Sequence, residues 1–333
     1  MADSTITLAC RNYDRTQAII RGQLKLEELQ LQVQEFSRVP DMFARMFRGE
    51  FDASEMSLAE LVYYTSRDKN DFIGIPVFPL RTFRHRFIFC NSSSGIRKPE
   101  DLEGKTIAFP RWVQTACVWI RGILAEEYKI SFRKTAGYVA GLHNWEDDER
   151  KEIKMRDGSV IRFLERRGES TDETVDRALR EGEVDALGTA VYPNSFQKGD
   201  ERVKRLFENY REIEAAYFRK TGIFPIMHVL AVRKSTVARY PDLPRQLFDL
   251  LSRAKKMGQN WIRGEGTLSM AWRDAYVEQE RQFFDEDPWS YGLQKNIHVI
   301  DKFLFYCYEQ GVSERKMRPE ELFVSSTWDL NDE

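Results

Sequence analysis

The sequence predicts a two-lobed α/β clamshell with a discontinuous first lobe, and three observations predict it. Its 333 residues exceed a small single domain and suit two lobes. A strand, capped helix, strand, helix, glycine, strand unit occurs twice: Gly49-Glu-Phe-Asp-Ala53 and Gly182-Glu-Val-Asp-Ala186 each follow an amphipathic helix. Repeated α/β units imply two similar lobes. Two apolar segments, 76–90 and 221–233, then stand where the chain would cross between lobes and return.

Taken in order, Thr5-Ile-Thr-Leu-Ala-Cys10 is apolar and rich in β-branched residues, which predicts a strand. Asp14 followed by Gln17 resembles a capping box with Asp14 as N-cap. Leu29 to Phe36 alternates apolar and polar, a second strand. Pro40-Asp41 opens a helix on which Phe43, Met46 and Phe47 share a face, and Gly49 ends it. Phe51-Asp52-Ala53 is a short strand, and Ser57 with Glu60 forms another capping box. In the second unit, Lys105–Pro110 stands where residues 5–10 stand in the first. Ser170 and Glu173 cap the helix that leads to Gly182. Asn91-Ser-Ser-Ser-Gly95 has hinge or loop composition. Segments 242–263, 267–284 and 295–310 carry apolar residues at helical spacing, with Gly311 as a C-cap. The expected division is residues 1–90 plus 223–333 for lobe 1 and 91–222 for an inserted lobe 2.

Composition narrows the function. Hydrophobic residues at 42% supply a core, and 31% charged residues suit a soluble surface. A formal net charge of -2 favours neither nucleic acid nor an anionic membrane as partner. No stretch approaches the roughly 18 uninterrupted apolar residues of a membrane span. The N-terminus lacks a basic region leading into an apolar one, so a cytoplasmic location is expected. Cys10, Cys90, Cys117 and Cys307 are scattered and read as reduced, mostly buried thiols. The expected partner is a small organic acid, and homo-oligomerisation stays open.

In open α/β sheets ligands collect at the carboxyl ends of the strands. Helix starts near Asp14–Thr16, Ser57 and Gln114–Thr115 would face that region, where free N–H groups and the helix dipole attract anions. Simple capping is the competing explanation for each. Read as a strand, Arg81–Arg86 puts Arg81, Phe83 and His85 on one face and Arg84 and Arg86 on the other. Such cations need carboxylates of the protein or of a ligand, unless the strand lies at a solvated edge. His228 is the polar residue of an apolar run, either a satisfied core histidine or a general acid suited to neutral pH. His143 belongs to a charged loop and reads as solvated; His298 reads as packing or capping. No zinc-protease, phosphate-loop or nucleophile-elbow motif is present, and no metal ligand set is assigned.

Several segments resemble the 4,5-dihydroxyphthalate decarboxylase family, which has a type II periplasmic-binding-protein-like fold. They are Tyr13–Thr16, Phe51–Ser57, Ile75–His85, Gly95–Lys105, Thr115–Gly122, Thr221–His228, Asp287–Gly292 and Arg318–Phe323, nearly the whole chain. Phe83-Arg84-His85 and Thr221-Gly-Ile-Phe-Pro-Ile-Met-His228 are the most specific. The resemblance implies loss of CO₂ from a hydroxylated aromatic acid without an organic cofactor. It implies His228 or His85 as proton donor, and Glu55 as acceptor of a ring-hydroxyl proton. Arg15, Arg81 and Arg84 would clamp carboxylates, with Thr16, Ser57, Thr115 and Trp119 also binding or orienting the ring. The alternative is a cytosolic sensor that binds an organic anion without transforming it. The chain departs from the family pattern at Val191-Tyr192, where an arginine precedes the proline, at Ala140-Gly-Leu-His143, where the pattern has Gly-Gly-Leu-Glu, and at Arg86. These changes fall in or near the expected ligand face, so they bear on which acid is bound.

Overall fold

Both copies of the repeated segment fold alike, and one aspartate in each explains why. Asp52 Oδ2 accepts from Thr7 N at 2.9 Å and from Thr7 Oγ1 at 2.8 Å, and Asp52 N donates back to Thr7 Oγ1 at 2.9 Å. Asp185 and Thr106 repeat all three bonds, each at 2.8 Å. The aspartate thus pins the start of one strand to its parallel neighbour, one residue before the ladder pairs Leu8 with Ala53 and Ile107 with Ala186. The glycine ahead of it turns the chain out of the helix in a left-handed conformation, φ +87° at Gly49 and +76° at Gly182, where a side chain would be strained.

A computed structural model describes residues 5–143, 152–264, 268–285 and 287–332. The chain runs β1 (Thr5–Cys10), α1 (Asp14–Ile20), β2 (Gln30–Glu35), α2 (Val39–Phe47), β3 (Ala53–Ser57), α3 (Leu58–Thr65) and β4 (Phe72–Arg81). It crosses into β5 (Ile88–Asn91), β6 (Thr106–Phe109), α4 (Thr115–Glu127), β7 (Ala136–Val139), β8 (Glu152–Lys154) and β9 (Val160–Phe163). Next come α5 (Thr171–Glu181), β10 (Ala186–Gly188), α6 (Asn194–Gln197), β11 (Val203–Arg205) and α7 (Tyr210–Thr221). The return gives β12 (Ile226–Arg233), α8 (Lys234–Arg239), α9 (Leu243–Arg263), α10 (Arg273–Phe283) and α11 (Leu293–Glu309).

The strands form two sheets, ordered β2-β1-β3-β12-β4 and β11-β5-β10-β6-β7-β9-β8. The second contains the first in its arrangement, with β7, β6, β10, β5 and β11 in the places of β2, β1, β3, β12 and β4. The strand that arrives from the opposite lobe runs antiparallel to its neighbours in both, β12 in one and β5 in the other. This is the two-lobed, type II periplasmic-binding-protein-like architecture. Helix α9 packs on α1 and β4, and α11 lies against α4, so the C-terminal helices brace both lobes from behind. Met42, Phe43 and Met46 of α2 are buried in the main core, as helical spacing requires.

Some local expectations change. Tyr13, not Asp14, caps α1, and Thr16 Oγ1 instead of Gln17 accepts the Tyr13 N–H at 2.9 Å. The strand expected at Phe51–Ala53 runs from Ala53 to Ser57, and Ser57 makes no capping bond. β4 ends at Arg81, and His85–Phe87 is a 3₁₀ turn, so two-residue alternation does not govern Arg81–Arg86. The second sheet already takes up the chain at Ile88, two residues before the expected division at 90.

Candidate active site at the lobe junction

Glu55 lies on β3 and His228 on the adjacent antiparallel β12. The ladder pairs His228 with Ser57 and Leu230 with Glu55, which makes Glu55 and His228 diagonal neighbours on one sheet face. His228 Nδ1 donates to Glu55 Oε1 at 2.5 Å. Tyr13 OH, from the turn after β1, donates to the same oxygen at 2.7 Å, and Arg11 N donates to Oε2 at 3.2 Å. Glu55 is fully buried. Burial alone would raise its pKa, but the hydrogen bonds from His228 and Tyr13 and the His228 charge outweigh this and leave it below the ordinary carboxylate value. Glu55 is therefore an anion whose oxygens are already engaged. Burial, then Glu55, pushes the Tyr13 phenol upward, so it stays protonated and donating. The Phe43 ring meets His228 edge to face at 5.4 Å. His228 retains 11% side-chain exposure, and among the described residues its ring makes its hydrogen bond through Nδ1, none through Nε2. One nitrogen is thus oriented by a carboxylate and the other is left for a ligand, the arrangement a general acid needs.

Three arginines were expected to clamp substrate, and each is bound to protein. Arg81 donates to Phe224 O at 3.2 Å, to Ser290 O at 2.8 Å and to Asn296 Oδ1. Arg84 donates to Met227 Sδ at 3.0 Å and across the junction to Ala190 O at 3.1 Å. Burial lowers their pKa values to about 10 and about 9, so both stay charged at neutral pH. Arg15 is held between the Tyr13 and Trp289 rings, 4.1 and 4.3 Å from their centroids, with its Nε on Pro79 O at 2.5 Å. Together with Thr82 N on Pro225 O at 3.0 Å and Trp119 Nε1 on Ile226 O at 3.0 Å, Arg81 and Arg84 tie the crossing segments together. Trp119 is wholly buried against Phe303 and Tyr306. Thr16 donates to Arg11 O at 2.6 Å, which fixes the turn carrying Tyr13. Ser57 and Thr115 bond each other across the lobes at 2.8 Å.

The other two cleft-side histidines differ from their sequence readings. His85 is buried among the rings of Tyr128, Phe207 and Tyr217, and among the described residues neither ring nitrogen has a hydrogen-bond partner. Burial alone lowers its pKa to about 4, so it is a neutral imidazole at pH 7. His143 was read as a solvated loop residue; it is buried, and its Nδ1 donates to the buried Glu60 Oε2 at 2.9 Å. Glu60 is thus a lobe-spanning partner and not half of a capping box. The reading of residues 144–150 as a charged loop lies outside the described residues. Among the described residues no group of three His, Cys, Asp or Glu side chains comes together as metal ligands.

The sequence reading missed Tyr13 and Arg11. Arg11 is half-buried beside Tyr13, 5.4 Å from its ring centroid, and makes no ion pair among the described residues. Their position at the carboxyl end of β1 was an available signal, since ligands gather there. A cavity of about 560 Å³ opens between Arg38 of lobe 1 and Thr189, Val191 and Tyr192 of lobe 2. Glu55 and His228 are not on its wall, but the departure at Val191-Tyr192 is.

The chain is 30% identical over 327 residues to a 4,5-dihydroxyphthalate decarboxylase of Comamonas testosteroni, covering 97% of each. A Pseudomonas putida protein of the same name is 26% identical over 215 residues, 64% of this chain and 81% of that one. No family model matches the chain. Among solved structures, the periplasmic aliphatic sulphonate binding protein SsuA of Escherichia coli aligns at TM-score 0.55 and 10% identity, covering 97% of this chain and 92% of that one. A sulfonate-binding protein of Methylobacillus flagellatus aligns at 0.57 and 12%, covering 96% and 91%. At such identities these two speak to the fold alone.

Proposed function

Since the chain belongs to the 4,5-dihydroxyphthalate decarboxylase family and is a decarboxylase, we propose that it removes CO₂ from a dihydroxyphthalate-like aromatic acid with His228 as proton donor. The observation that carries this reading is the Glu55–His228 pair, with Nε2 directed away from its carboxylate. In the reaction, a ring hydroxyl para to the departing carboxylate pushes electron density onto the carbon that bears it. His228 Nε2 delivers a proton to that carbon. The bond to the carboxylate then breaks, its electron pair restores the aromatic ring, and CO₂ leaves. The new C–H bond replaces the C–C bond, so atoms and charge balance with one proton consumed.

Glu55 acts through His228. Its lowered pKa, with donors from His228, Tyr13 and Arg11 already on its oxygens, makes it a poor acceptor for a ring-hydroxyl proton. Its anion instead accepts from Nδ1 and holds the imidazole in one orientation. Arg11, which forms no ion pair among the described residues, is the residue offered to the carboxylate that the product keeps. Arg15, Arg81 and Arg84 brace the turn and crossing strands that carry Tyr13 and His228.

The test is incubation of the purified chain with 4,5-dihydroxyphthalate, followed by ultraviolet spectroscopy and CO₂ release, beside a thermal-shift screen of hydroxylated benzoates. Consumption with stoichiometric CO₂ is expected. A ligand at 100 times its dissociation constant adds about 2.7 kcal/mol of stability. Stabilisation by these acids with an unchanged spectrum would instead mark a binding protein.

A further inference from the structure

A second buried carboxylate–imidazole pair joins the lobes, and the proposed chemistry does not use it. Glu60 sits in the first turn of α3, in lobe 1. His143 sits just beyond β7, in lobe 2. Their side chains are 0% and 1% exposed and lie 2.9 Å apart. Tyr63 meets the His143 ring edge-on at 4.6 Å, and Tyr64 stacks on it at 5.7 Å. Lobe 2 also reaches the start of the same helix through Thr115, whose Oγ1 accepts from Ala59 N at 3.0 Å and shares a proton with Ser57 Oγ at 2.8 Å. One short stretch of lobe 1 is therefore held from lobe 2 at two points.

That stretch continues directly from β3, the strand that presents Glu55. If the lobes part, Glu60 and His143 are separated and must be resolvated. Closure restores a hydrogen bond that is stronger away from water. A contact made only in the closed form adds to closure alone, so it sets how much of the protein is closed before ligand binds.

We propose that Glu60 and His143 are positioning residues, an interlobe latch that holds the cleft shut around His228. The latch takes its purpose from the decarboxylase reading, but its existence is tested without turnover. When only the closed form binds tightly, the apparent dissociation constant is the intrinsic one divided by the closed fraction. Loss of the latch therefore weakens binding of substrate and unreactive analogues by the same factor. Saturating ligand can still close the lobes.

The experiment uses the full chain and His143→Ala, Glu60→Gln and the double variant. It combines small-angle scattering, binding of 3,4-dihydroxybenzoate, and KM and kcat with 4,5-dihydroxyphthalate. Each single variant should show a larger radius of gyration without ligand, with Kd and KM raised about ten-fold and kcat within about two-fold. The double variant should be no worse than the more impaired single one, because either change breaks the same contact. Cooperatively folded variants with unchanged scattering and KM, or with additive effects, overturn the latch. If either substitution prevents folding, small-angle scattering of Thr115→Val without ligand supplies the readout from the second contact, and an unchanged radius of gyration there overturns the latch. A wild-type chain that releases no CO₂ but opens when His143 is replaced would sink the decarboxylase reading and leave the latch standing.

Discussion

His228 and His85 occupy opposite ends of the same question. Each is a buried histidine beside a crossing between lobes, and the sequence offers both as proton donors. The structure gives His228 a buried anion at 2.5 Å and leaves its side chain 11% exposed. It gives His85 three aromatic rings and, among the described residues, no hydrogen-bond partner. A neutral imidazole whose pKa is lowered to about 4 has no proton to give at pH 7. Burial alone therefore does not suit a histidine to proton transfer, whereas a carboxylate that orients one nitrogen does.

The largest expected effect separates the two directly. His228→Ala should lower kcat by about 10²–10⁴-fold, the usual contribution of a general acid, whereas His85→Phe should stay within a few-fold of wild type. Steady-state CO₂ release by both variants reads the difference. Equal losses would erase the distinction.

The next effect belongs to His85 and is one of stability. Its folded pKa lies below its unfolded value of 6.5, so its contribution is fully present above pH 6.5 and is lost as pH falls towards about 4. The loss amounts to as much as about 3 kcal/mol. Urea unfolding between pH 7 and 4 should show a slope that His85→Phe flattens. An unchanged slope would mean that the aromatic box admits the charged imidazole.

A smaller effect concerns Glu55. Glu55→Gln keeps the shape and removes the anion, and should cut kcat by about 10²-fold. It should also destabilise the fold by about 2 kcal/mol at pH 7. Because the Glu55 pKa is lowered in the folded state, that stabilisation is full above the ordinary carboxylate value of 4.5 and disappears as pH falls below it. The stability gap between wild type and variant should therefore close in acid. A gap that widened would reverse the sign assigned to Glu55.

The same contrast shows what a sequence makes legible. The duplicated Gly-Glu-x-Asp-Ala segment announced two like lobes because its aspartate bonds a threonine that recurs at the same place in each unit. Such local rules leave a trace in spacing. The partners of Arg81 and Arg84 do not, since they are mainly backbone carbonyls and a thioether. An arginine in an apolar run signals that an acceptor is required, without saying whether ligand or main chain supplies it. His143 was misread because its carboxylate lies 83 residues away in the other lobe. Tyr13 escaped notice because its bond to Glu55 exists only once β1 and β3 lie side by side.

The central claim, that His228 supplies the proton to the ring, is tested most directly by chemical rescue. In His228→Ala, added imidazole should restore CO₂ release from 4,5-dihydroxyphthalate in proportion to its concentration, while leaving wild type and His85→Phe unaffected. A folded His228→Ala protein that turns over at the wild-type rate without imidazole would contradict the account.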